Sequence, residues 1–233
     1  MPVRPHPLDD PIRASLTGPH AHLAERRGEV VRYPEDVAPF LSLPEPAAEA
    51  DWADAAALAG PGGLVPLVGD GPSAPAGWEI AMSLEGVQMT GEKVVAAPDP
   101  EAVRLTADDV PEMLDLVART QPGPFLPRTI TMGAYFGIRH EGRLIAMAGE
   151  RLHPPGWIEI SAVCTDPAHR ARGLATRLVH TVAAGIRARG ETPFLHAVAT
   201  NVTAIRLYET LGFQLRRTTT FAAARVPDHV PVP

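Results

Sequence analysis

Apolar and polar positions repeat most regularly after about residue 94 of the chain. The stretch "VVAAPDPEAVRLTADDVPEMLDLVART" predicts a strand that ends near Leu105, followed by a helix. Thr106 is a candidate N-cap for that helix, with Asp109 at the capping-box distance. The apolar positions of the helix then recur three or four residues apart, at Val110, Met113, Leu114 and Val117.

The pattern after residue 133 alternates between strands and helices. "AYFGIRHEGRLIAMAGERL" predicts a β-hairpin with Glu141-Gly142 at its turn, and "GWIEISAVCT" predicts a further strand. From Gly173 to Arg189 an apolar residue recurs at every fourth position, which predicts an amphipathic helix. "PFLHAVAT" predicts a strand, "NVTAIRLYETLG" a helix that begins near Asn201, and "FQLRRTTTFAAARV" a final strand or hairpin. This succession is typical of an α/β fold.

The first hundred residues are less regular because proline- and glycine-rich stretches interrupt them. Ala47 to Gly60 predict a helix, since alanine favours helix and Gly60 precedes a proline. "GGLVPLV" predicts a short strand at a sheet edge, because it contains a proline. "GWEIAMSLEGVQMTGE" predicts the last strands before the regular half. We therefore divide the chain into an N-terminal region, residues 1–98, and a second region, residues 99–233.

Composition and charge narrow the class of protein. The 233 residues are 45% hydrophobic and 21% charged, which is ordinary for a soluble globular protein. A formal charge of −6 argues against a general nucleic-acid binder. The single cysteine, Cys164, excludes an intramolecular disulfide, and the first residues lack the apolar segment of a signal peptide. We expect a cytoplasmic protein that does not bind membranes or nucleic acid.

The stretch "AVCTDPAHRARGLATRL" carries the clearest chemical signal. A strand, a sharp turn and a helix N-terminus leave several backbone N–H groups without intrahelical partners. These groups and the helix dipole attract phosphate, and Gly173 removes a Cβ that would block close approach. Arg170 and Arg172 add positive charge. The stretch lacks the Gly-Lys-Ser/Thr ending of a P-loop and two glycines of the dinucleotide fingerprint.

Two motifs in order give this turn a family context. R-x-x-G-x-A after "EISAVCTDP" resembles the acetyl-CoA site of GNAT-family N-acetyltransferases, and "LHAVATNVTAIRLYETLGF" resembles the second signature of that family. The resemblance covers roughly Val103 to Val226 and is closest to the FR47-like branch. It implies an acyl-CoA N-acyltransferase fold with a mixed, mostly antiparallel central sheet. The implied reaction moves an acetyl group from acetyl-CoA to a primary amine of a small molecule or peptide, with no metal.

The same resemblance assigns residues to the cofactor. The stretch Val163, Cys164 and Thr165 is assigned to the pantetheine arm, which pairs with the backbone of Val163 and Thr165. Asn201 hydrogen-bonds the pantetheine region, and Tyr208 is also counted among the cofactor-binding residues. The backbone amides of the turn hold the pyrophosphate. The residues assigned to the pyrophosphate are Arg170, Ala171, Arg172, Gly173, Leu174, Ala175 and Thr176. Strand alternation places Cys164 on the opposite face from Val163, which favours a buried structural thiol.

The catalytic residues are also assigned by resemblance. Tyr208 matches the tyrosine that protonates the departing thiolate, and its phenol, with an unperturbed pKa of about 10, is protonated at neutral pH. Glu159 matches the general base of the histone-acetyltransferase branch, and alternation places it on one face with Val163. Glu150 on the neighbouring strand, or a water molecule, is the alternative base. His196, in an apolar strand, is interpreted as a core histidine.

The acceptor side gives weaker signals. The loop from Gln121 to Thr129 is rich in proline and is interpreted either as an acceptor wall or as an ordinary stiff connection. Phe125, Arg128 and Tyr135 are the candidate acceptor-binding residues, together with Glu150.

The N-terminal region has three interpretations: a degenerate second copy of the fold, a lid over the acceptor pocket, or a dimerisation element. The favoured one is the degenerate copy, which lacks a second R-x-x-G-x-A turn and so predicts one cofactor per chain. Two other functions stay open beside the acetyltransferase. One is a catalytically decayed acyl-CoA-binding regulatory or scaffold protein, and the other is a nucleotide-binding protein. A homodimer is kept open as an assembly.

Overall fold

The computed structural model of the chain describes residues 6–69 and 73–228. Its helices are α1 (Pro11–Leu16), α2 (Glu49–Ala59), α3 (Val110–Thr120), α4 (Leu174–Ala188) and α5 (Val202–Thr210). A small sheet contains β1 (Glu25–Arg27), β2 (Val30–Arg32) and β3 (Leu41–Ser42). The large sheet contains β4 (Leu64–Gly69), β5 (Glu79–Thr90), β6 (Val103–Arg104), β7 (Tyr135–His140), β8 (Arg143–Glu150), β9 (Trp157–Thr165), β10 (Thr192–Val198) and β11 (Gln214–Arg225).

The large sheet is mixed but mostly antiparallel, as the sequence predicted. Its strand order is β4-β11-β5-β10-β9-β8-β7-β6, and the pairing of β9 with β10 is parallel. The other pairings in this sheet are antiparallel. Helices α3 and α4 pack in different apolar clusters on the two faces of the sheet. On β9, Ile158 and Ile160 pack in the cluster of α4, whereas Ala162 and Cys164 pack in that of α3.

The elements predicted in the second half are confirmed. The 3₁₀ turn before α3 has the predicted capping box, in which the Thr106 N–H donates to the Asp109 carboxylate at 2.8 Å. Strands β7 and β8 form the predicted hairpin around Glu141 and Gly142, both at positive φ. Helix α4 lies within the predicted range, and α5 begins after its N-cap Asn201.

The N-terminal region is connected to the second region more closely than the division at residue 98 suggests. The predicted helix is α2, and β4 is an edge strand as predicted. Strand β5, however, lies inside the large sheet between β10 and β11. The sheet therefore runs across the expected boundary. Strands β1, β2 and β3 of the region form a separate three-stranded sheet, and the three interpretations of the N-terminal region stay predictions.

A β-bulge in β9 changes the register of its side chains. Ala162 has φ of 52°, and the pairing with β8 shifts between Met147 and Gly149. Val163 therefore packs on the α4 side, together with Ile158 and Ile160, as their shared cluster shows. The expectation that Glu159 and Val163 share one face is wrong, because simple alternation does not continue through a bulge. Cys164 does lie opposite Val163 and is buried, as predicted.

Candidate active site

The centre of the site is the place where two parallel strands separate. Strands β9 and β10 pair from Thr192 opposite Trp157 to Phe194 opposite Glu159, and no further. Beyond that point, residues 161–165 of β9 and residues 196–198 of β10 line a common cleft. Backbone N–H and C=O groups that leave a ladder need other partners, so an extended ligand fits between the strands.

The anion-binding turn, residues 170–176, lies at one end of this cleft. Gly173, the N-cap of α4, has φ of 72°, and Ala171 also has positive φ, at 59°. Because Gly173 has no side chain, no N-cap side chain accepts from the first turn of α4, and its N–H groups are available to an anion. Arg170 and Arg172 both line the cleft, which adds positive charge at this end. The turn thus fits a pyrophosphate.

Tyr208 and Asn201 line the same cleft. Asn201 caps α5, since its Oδ1 accepts from the Ala204 N–H at 3.2 Å. The side chain of Tyr208 is 8% exposed, and burial, together with the nearby Cys164 thiol, raises the pKa of its phenol to about 12. A phenol with this pKa is protonated at neutral pH and can donate a proton.

Within the described residues, Glu159 is completely buried and does not line the cleft. Its carboxylate accepts two hydrogen bonds from Arg151, at 2.8 and 2.7 Å, and one from His196 Nδ1 at 2.7 Å. Burial alone would raise the pKa of Glu159, but the Arg151 guanidinium and the hydrogen bonds from Arg151 and His196 hold it below its usual range. The carboxylate is therefore ionised and already paired.

The four candidate acceptor residues lie elsewhere. Phe125 and Tyr135 are buried in the α3 cluster, with ring centroids 5.4 Å apart. Arg128 is about half exposed and pairs with Asp36 at 3.3 Å. Glu150 is buried, accepts from the Ala134 N–H and pairs with Arg189 at 2.6 Å. None of the four lines the cleft in the described part of the chain. Residues 121–124 of the proline-rich loop do line it.

The cleft is also lined by residues that the sequence gave no reason to select. The N-terminal region contributes Arg32, Tyr33 and Phe40, and the guanidinium of Arg151 lies 5.0 Å from the Phe40 ring centroid. The long strands of the sheet contribute a row of apolar side chains, Val68, Met82, Leu84 and Phe221. Cross-strand pairing of Phe221 with Val68 and Leu84 places these three side by side. The cleft has a volume of about 1220 Å³.

The fold and the cleft define an α/β protein in which a helix N-terminus without a side-chain cap and two diverging parallel strands line one cleft. Residues 135–222 match the family described as FR47-like protein. A solved structure from Novosphingobium aromaticivorans, assigned to the GNAT family of acetyltransferases, is 42% identical. The alignment covers 94% of this chain and 98% of that one, with a TM-score of 0.86. The chain belongs to the GNAT family and is an acetyltransferase of this type.

Two further relatives are more distant. The N-alpha-acetyltransferase RimI of Mycobacterium tuberculosis is 36% identical over 83 residues, which are 34% of this chain and 51% of the relative. This chain thus spans about half the length of that curated relative. A GCN5-related N-acetyltransferase from Kribbella flavida has a TM-score of 0.57 at 16% identity, with coverage of 94% and 95%. That likeness shows the fold alone.

Two other structural features bear on partners and cofactors. Within the described residues, no helix combines the length and the apolar character needed to cross a membrane. The same residues contain no cluster of three or more His, Cys, Asp or Glu side chains that could hold a metal ion.

Proposed function

We propose that the chain transfers an acetyl group from acetyl-CoA to a primary amine of a small molecule or peptide. The observation that carries this proposal is the position of the anion-binding turn and Tyr208 in one cleft, with the diverging strands between them. The thioester supplies an activated acyl group. The turn binds the pyrophosphate, and residues 163–165 bind the pantetheine arm through their backbone.

In this proposal Tyr208 acts on the leaving group. The amine nitrogen attacks the thioester carbonyl carbon directly, the C–S bond breaks, and the Tyr208 hydroxyl donates its proton to the thiolate. The hydroxyl of Tyr208 carries its proton at neutral pH, as a phenol with the ordinary pKa of about 10 already does, so a proton is available to the thiolate. Glu159 and Glu150 are both buried and ion-paired, so a direct role of either carboxylate as the general base has less support.

The lining of the cleft supports a preference among acceptors. The charged side chains at its acceptor end are already paired: Arg151 with Glu159, and Arg32 with Glu25 and Glu35. The row Val68, Met82, Leu84 and Phe221 offers apolar surface instead. An amine with an apolar body gains from burial on this row, at about 25 cal/mol per Å², without leaving a charge unpaired.

A thermal-shift titration tests the proposal. Acetyl-CoA and CoA are expected to raise the Tm, whereas ATP and NAD are not, because a ligand that binds only the folded state adds about 2.7 kcal/mol at 100 times its Kd. A panel of primary amines with apolar and with charged bodies is then screened for release of free thiol from acetyl-CoA.

Each outcome has a distinct meaning. An equal shift with ATP would contradict the acetyl-CoA site. A shift with CoA compounds but no thiol release with any amine would support a catalytically decayed acyl-CoA-binding protein. Faster release with charged amines than with apolar ones would contradict the preference for an apolar acceptor.

A further inference from the structure

The two candidate carboxylates are poorly placed to accept a proton from an amine in the cleft. Glu159 and Glu150 are both buried and ion-paired, with Arg151 and with Arg189. Neither lines the cleft in the described residues. His196, which lies on β10 directly after the strands part, does line it. Its ring is mostly buried, in edge-to-face contact with Phe194 and Phe221.

The hydrogen bonds of His196 determine which ring nitrogen carries the proton. Nδ1 lies 2.7 Å from a Glu159 oxygen, and an ionised carboxylate only accepts, so Nδ1 is the protonated nitrogen. Nε2 lies 3.0 Å from the side-chain nitrogen of Gln88. That amide cannot be reversed, because its oxygen accepts from Arg216 at 2.8 Å while its nitrogen donates to the Leu8 carbonyl at 3.0 Å. Nε2 is therefore an acceptor.

We infer that His196 Nε2 accepts the proton of the attacking amine, and that Glu159 positions His196 rather than acting as the base itself. The inference rests on the proposed function and deepens it. In this inference the amine, itself an N–H donor, displaces the Gln88 amide from its 3.0 Å contact with Nε2. As the nitrogen lone pair bonds to the carbonyl carbon, the N–H proton passes to Nε2. Glu159 stabilises the imidazolium, as a carboxylate does for the histidine of a catalytic triad.

The first test compares His196→Asn with the wild type. Asparagine can still donate to Glu159 but has no basic nitrogen. We expect kcat for acetyl transfer to fall by about 100-fold or more, while the Kd for acetyl-CoA changes less than about threefold. His22→Asn, the same substitution at an exposed histidine, is the matched control and retains wild-type activity. Activity of His196→Asn within threefold of the wild type would overturn the inference.

The pH profile of kcat separates the two candidate bases. The charged groups around the imidazole are Glu159, Arg151 and, beyond Gln88, the pair of Arg216 with Asp9. In Glu159→Gln the basic nitrogen of His196 is retained, so the acidic limb of the profile persists. In His196→Asn the limb disappears. Loss of the limb in Glu159→Gln with its retention in His196→Asn would assign the base to Glu159 and overturn the inference.

A measurement on the wild-type chain does not depend on the folding of either variant. Nitrogen-15 NMR of labelled histidine at neutral pH is expected to show His196 with a protonated Nδ1 and an unprotonated Nε2. The opposite tautomer would overturn the inference. Failure of the proposed function is distinguishable from these results, because the wild type would then release no thiol with any amine.

Discussion

Single side chains in the cleft carry the chemistry, and their surroundings decide what each can do. Tyr208 is nearly buried and lines the cleft, and among the described residues its hydroxyl makes no hydrogen bond. Its phenol is thus not committed to the fold. Glu159 is the contrary case, because Arg151 and His196 already occupy its carboxylate.

Tyr208→Phe is expected to reduce kcat by about 100-fold while acetyl-CoA binds with nearly unchanged affinity, because only the proton donor is removed. Little stability is lost, since no protein hydrogen bond to the hydroxyl is broken. The measurements are thiol release under saturating conditions, the Kd for acetyl-CoA and the Tm. Unchanged kcat in this variant would contradict the role of Tyr208 as the acid.

At the scale of elements, the position of α4 matters because its first turn is the one that we propose binds the pyrophosphate of acetyl-CoA. The loop before β6 is attached to this helix. Asp99 accepts two hydrogen bonds from Arg177 of α4, at 2.6 and 2.7 Å, and the Asp99 N–H donates to Thr181. The hydrogen bonds from Arg177, opposed by burial and aided by the Glu101 N–H, lower the pKa of Asp99 to about 2.

This pair predicts a pH-dependent contribution to stability. Because the folded pKa lies below the ordinary value of 3.8, the contribution is fully present above about pH 4 and is lost as the pH falls toward 2. Asp99→Asn is therefore expected to lower the Tm at pH 7, and its difference from the wild type is expected to shrink between pH 4 and pH 2.

Thermal denaturation across this pH range checks the prediction. Asp108→Asn, at an exposed carboxylate nearby, is the control and is expected to show little change at any pH. A difference between Asp99→Asn and the wild type that stays constant down to pH 2 would show that Arg177 does not depend on the charge of Asp99.

At the scale of the whole molecule, the two halves of the chain share one sheet and one cleft. Strand β5 pairs on one side with β10 and on the other with β11. The N-terminal region also lines the cleft through Tyr33 and Phe40. Leu8 accepts a hydrogen bond from Gln88, which contacts His196 in turn.

A chain that starts at residue 99 is therefore expected not to fold cooperatively. Removal of β5 exposes the edges of β10 and β11 and leaves the apolar side chains that pack against Val87 and Met89 without cover. Circular dichroism during heating, with the full chain as the control, checks this. A cooperative transition in the shortened chain would show that residues 99–233 are an independent domain.

The homodimer stays a prediction.

Much of the second half was determined by local sequence. Helical spacing and caps specify α3, α4 and α5 over short distances, and the turn at Gly173 needs only a glycine between a strand and a helix. The turn at Gly173 and the helix that carries Tyr208 were therefore predicted from residues that lie close together in the chain. The position of β4 at the edge of the large sheet was also predicted, from the one proline in its sequence.

The acceptor side was decided only by tertiary structure. The bulge at Ala162 depends on pairing between β8 and β9, and it moves Val163 to the face opposite Glu159. Phe125 and Tyr135 face the core because α3 covers them. Glu159, Arg151 and His196 lie in three separate segments of the chain, and their pairing was not predicted from the sequence. Contacts between distant residues depend on how the sheet is ordered, whereas helix caps and turns depend on neighbours in the chain.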